Sequence, residues 1–65
     1  MKTIKLGDKV RIINKDNSYY KKRGKIGLIT DSTEHPYLVE FRNWFGDTYA
    51  ALWANESDLE ILTKN

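Results

Sequence analysis

The sequence predicts an all-β domain, a small five-stranded antiparallel barrel or strongly curved sheet. Three observations predict it. Apolar residues alternate with polar ones in short segments, turn-forming residues interrupt these every 6–12 positions, and no window sustains a long helical period. At 65 residues the chain makes one domain, residues 1–65. A chain of that size hides only roughly 60% of the surface of its unfolded form, so the core is small. Closure into a barrel removes open strand edges, which a domain without disulfides tolerates poorly.

Each element has its own signal. In "DKVRII" Val10 and Ile12 share one face while Lys9 and Arg11 share the other, the period of a half-buried strand. "NKDNS" ends it, because Asn, Asp and Ser side chains bond to nearby backbone and favour turns. "KIGLIT" reads as the second strand and "DSTEHP" as the turn after it. Pro36 opens the third strand, "YLVEF", where a missing N–H is tolerated. There Tyr37, Val39 and Phe41 point one way, Leu38 and Glu40 the other. Gly46-Asp47 suits a tight hairpin turn with positive φ at its first central position, and "TYAALW" returns as the fourth strand. "NESD" forms a short 3₁₀ turn capped by the Asn55 side chain, before "LEIL" closes the chain as the fifth strand. The expected core is Val10, Ile12, Ile29, Val39, Phe41, Leu59 and Ile61. An amphipathic helix over residues 48–61 is the competing reading, weakened by Asn55, Ser57 and Asp58 in mid-segment.

Composition excludes several function classes. Without cysteine there is no disulfide framework, and with the single histidine His35 no metal site is expected. No cofactor is expected either. The apolar runs fall far short of the roughly 20 residues of a membrane helix, and "MKTIKLGDK" lacks the apolar block of a signal peptide, so a cytoplasmic protein is expected. Asp31, Ser32 and His35 lie within one turn, whereas a nucleophilic triad must converge from a rigid scaffold beside an oxyanion site. Glu56, Asp58 and Glu60 are sufficiently explained by capping and solvation. The expectation is a non-enzyme with no catalytic residue and no small-molecule substrate.

Net charge is only +2, but its distribution is uneven. Residues 1–30 carry nine cations against two acids, a balance of +7, and residues 31–65 carry two cations against seven acids, a balance of −5. Such asymmetry points to a polyanionic partner. The densest stretch is "YYKKRGK", with Tyr19, Tyr20, Lys21, Lys22, Arg23 and Lys25. Adjacent cations repel one another and gain nothing from a core, so the stretch is either a solvated loop feeding a strand or a grip for nucleic acid. In the second case the tyrosine rings stack on unpaired bases while the cations, helped by Arg11 and Arg42, track the phosphates. Gly24 reads as a turn-maker, and Gly27 as a bulge or a site of close approach. Neither suits a phosphate loop, since an extended segment and not a helix follows them.

"GDKVRI" from Gly7 and "RGKIGLI" from Arg23 together resemble the KOW motif, over residues 7–29, about a third of the chain. Arg23 stands where the motif usually has Lys, and the loop over residues 14–23 is longer than the motif's own. "YLVEF" and "WANESDLEIL" are similar to the closing strands and 3₁₀ turn of small SH3-like barrels. The resemblance implies an SH3-like barrel that contacts RNA, single-stranded nucleic acid or protein, as such domains do in ribosomal proteins and transcription elongation factors. The fold alone does not select among these roles. For a protein partner the candidates are Trp44 and Phe45, which either lid the barrel or project from the tip of "RNWFGD", together with Tyr49 and Trp53. The small size also suits an accessory protein of a phage or mobile element.

Overall fold

The computed structural model describes residues 3–64. The alternating segments form β1 (Lys9–Ile12), β2 (Arg23–Ile29), β3 (Tyr37–Arg42), β4 (Thr48–Ala54) and β5 (Leu59–Thr63). All pairings are antiparallel, and the order across the sheet is β4-β3-β2-β1-β5. The only helical element among the described residues is the 3₁₀ turn Glu56–Asp58, so two strands and a turn take the place of the competing helix over 48–61. β4 and β5 are the edges, and hydrogen bonding does not close the sheet into a barrel.

A lone sheet with no helical layer seals a core only by curving over it. Val10, Ile12, Ile26, Val39, Phe41, Ala54 and Leu59, with Ile4 before β1, form one buried cluster to which every strand contributes. Tyr19, Tyr37, Ala50, Leu52 and Ile61 pack against it. Irregular register supplies curvature: the pairing shifts between Lys9 and Val10, between Ile26 and Leu28, and between Phe41 and Arg42. Each such bulge bends its strand and increases its twist. The radius of gyration of 10.8 Å is that of a tightly folded chain, about 11 Å at this length.

β2 and β5 correct the expected core, and β2 carries a shift at Gly27. Ile26 pairs with inward-facing Val39, but after the extra residue Leu28 pairs with Leu38 and Ile29 with Tyr37 at the strand's end. Ile26 is 2% exposed, whereas Ile29, expected in the core, is 38% exposed because it ends the strand, although it lies opposite Tyr37. Ile61 is only half-buried, at the margin of the cluster.

Of the two glycines of this strand, Gly27 sits at a bulge, one of the two roles expected of it, and Gly24 takes the other. A Cβ on Gly24, inside β2 opposite Val10, would lie 2.6 Å from Val39 Cγ1 and 2.8 Å from the Glu40 carbonyl oxygen. Gly24 is thus the position of close approach and not a turn-maker. The atoms nearest a Cβ on Gly27 would be the carboxylate end of the Glu40 side chain, which can swing away.

Local chemistry sets the turns. Lys5 and Asp8 close a turn in which the Asp8 N–H donates to the Lys5 carbonyl and the buried Asp8 carboxylate accepts the Lys5 N–H at 3.0 Å. Gly7, with φ of +86°, occupies its left-handed position. In the β3–β4 hairpin Asn43 Oδ1 accepts the N–H groups of Phe45 and Asp47. Gly46 has φ of +87° as the sequence suggests, but as the last residue of an Asn43–Gly46 turn, with Trp44 and Phe45 between. Asn55 caps the 3₁₀ turn through a capping box with Asp58, as expected.

Candidate polyanion-binding face

The alternation that turns Val10 and Ile12 inward turns Lys9 and Arg11 outward, and the antiparallel register then decides what they meet. Lys25 lies directly opposite Lys9, and Arg23 directly opposite Arg11. With Arg42 at the end of β3, Lys9, Arg23 and Lys25 line a groove of about 420 Å³ whose one acidic lining residue is Glu40. Like charges facing each other across strands destabilise a sheet. Relief is partial: Arg11 pairs with Glu60 at 2.9 Å and Arg42 with Glu40 at 3.8 Å, both pairs in water. Among the described residues Lys9, Arg23 and Lys25 make no ion pair.

The loop before β2 is ordered by its own polar residues. Asn14 Oδ1 accepts the Asp16 N–H, Asn17 Oδ1 accepts the Tyr19 N–H, and Asn14 Nδ2 donates to Asp58 Oδ1 at 3.0 Å, tying the loop to the 3₁₀ turn. The Lys21 N–H donates to the Ile12 carbonyl and the Ile12 N–H to the Lys22 carbonyl, so the β1–β2 ladder runs on into the loop. The Tyr19 carbonyl accepts the Lys22 N–H, and Lys21 turns the chain there with φ of +71°, a conformation suited to glycine.

The tyrosines are occupied. The Tyr19 ring stacks on buried Phe41, centroids 4.8 Å apart and planes 9° from parallel. The Lys21 ammonium lies over the Tyr20 ring, 5.6 Å from its centroid. Tyr20 and Lys21 line a second depression with Arg11, Ile12, Ile13 and Glu60.

The residues grouped by chain proximity are thus divided by the fold. Arg23 and Lys25 join Arg42 in the groove, Tyr20 and Lys21 join Arg11 beside it, Tyr19 packs on the core, and exposed Lys22 lines neither hollow. Lys9 was missed as a groove residue, although its alternation with Arg11 marked it as outward-facing.

Trp44 and Phe45 do not lid the sheet: they are 95% and 84% exposed. Tyr49 and Trp53 also lie in the open, on edge strand β4, where Trp53 is opposite Leu38 and Leu38 opposite Leu28. No group of three metal-ligating side chains exists among the described residues, and none of their helices is long and apolar enough to cross a membrane. No family model and no curated protein matches the chain.

Proposed function

We propose that this chain is a small KOW-like module with an SH3-like fold that binds RNA or single-stranded nucleic acid, in the cytoplasm, without catalysis. The observation that carries the reading is the tandem of like-charged pairs, Lys9 with Lys25 and Arg11 with Arg23. Packing gains nothing from either pair; a chain of phosphates laid along the groove meets Lys9, Lys25 and Arg23, while Arg11 beside it is paired with Glu60. A fluorescently labelled single-stranded RNA, followed by anisotropy over stepped salt, tests it. About four neutralised phosphates give micromolar affinity at low salt and a slope of log K against log salt near −3. The absence of binding at low salt would refute it.

The alternative is a protein-interaction module, such as an accessory protein of a phage or mobile element. Its support is the apolar outward row of Leu28, Leu38 and Trp53 beside Tyr49 on a free sheet edge. Exposed aromatics of this kind anchor protein interfaces.

A further inference from the structure

We propose that Trp44 and Phe45 at the tip of the β3–β4 hairpin are the base-stacking platform of the cationic groove. This rests on the nucleic-acid reading above and assigns the part of that reading that the loop tyrosines were expected to supply. Tyr19 has one ring face covered by Phe41, and Tyr20 lies beneath the Lys21 ammonium. Trp44 and Phe45, by contrast, are the two most exposed large apolar side chains of the described residues.

Their position follows from the hairpin. Arg42 lines the groove, and Trp44 comes two residues later, within about 7 Å of it along the chain. A strand whose phosphates lie on Arg23, Lys25 and Arg42 therefore carries its next bases to the tip. The tip is built to hold still, since Asn43 Oδ1 accepts two backbone N–H groups and the Asn43 carbonyl accepts the Gly46 N–H at 3.0 Å. Rings held in place lose little freedom on stacking. Cations set in a groove reach a thin polymer better than a flat bilayer, which favours nucleic acid over an anionic membrane.

The test uses the full chain with Trp53→Phe, which leaves Trp44 as the sole tryptophan. The probes are single-stranded oligouridylate, an abasic ribose-phosphate oligomer of equal length, and vesicles containing phosphatidylserine. Trp44 emission should be quenched by oligouridylate and not by the abasic oligomer. Trp44→Ser and Phe45→Ser, each with unchanged melting temperature, should weaken oligouridylate binding at least five-fold. Neither should change abasic binding or the salt slope, because stacking releases no counterions. If oligouridylate binds with the expected slope while both variants bind normally and emission is unmoved, the platform is refuted and the groove stands. The tip is then left to a protein partner. Equal losses for the abasic oligomer, or insertion into the vesicles without oligouridylate quenching, also refute it. Failure of both oligomers to bind wild type refutes the groove and the platform together.

Discussion

Lys9 and Lys25 face each other directly across β1 and β2, and neither makes an ion pair among the described residues, although Lys25 is also opposite Glu40 of β3. The pair makes stability and binding respond with opposite signs. Lys9→Glu replaces repulsion by attraction and should stabilise the domain by about 0.2–1 kcal/mol in denaturant unfolding. The same change removes a groove cation, so RNA affinity should fall and the salt slope should flatten by about 1. A variant that loses stability yet binds as before would show that the pair has no part in recognition.

The glycines of β2 should differ in the order their surroundings dictate. Gly24→Ala forces a methyl group against Val39 and the backbone of β3, and should cost about 1–3 kcal/mol. Gly27→Ala has only the Glu40 carboxylate to displace, and should cost less than about 1 kcal/mol. Thermal unfolding of the two variants checks the order.

The stacked rings of Tyr19 and Phe41 tie the loop to the core. A double-mutant cycle with Tyr19→Leu and Phe41→Leu should return a coupling of about 0.5–1.5 kcal/mol. Additive losses would mean that the rings are neighbours without mutual attraction.

At Lys21 the backbone adopts a left-handed conformation that a lysine resists. Lys21→Gly should raise stability by up to about 1 kcal/mol while weakening nucleic-acid binding modestly, through the lost cation. The melting temperature and the anisotropy titration, measured on one sample, test both halves.

The order and type of the elements were legible in the sequence because β1 and β3 have a clean two-residue period and each turn its own chemistry. Val10, Ile12, Val39 and Phe41 are buried where alternation places them, and Asn55 caps as its side chain predicts. Two things were hidden. Alternation says nothing of an extra residue, so the slip at Gly27 that turns Leu28 outward was hidden, as was the exposure of Ile29 at the strand's end. Proximity along the chain is also a poor guide to proximity in a sheet. Lys9 meets Lys25 across sixteen residues of sequence, while Tyr19, adjacent to Tyr20, is taken up by the core.

The slip at Gly27 also divides β2 into two compartments of different character. Ahead of it the outward positions hold Arg23 and Lys25, and after it Leu28, so one strand serves an ionic surface at one end and an oily one at the other. Removing that single glycine would leave an unbroken ladder, with Ile26 opposite Val39, Leu28 opposite Leu38 and Ile29 opposite Tyr37, and would straighten the strand without moving a charge.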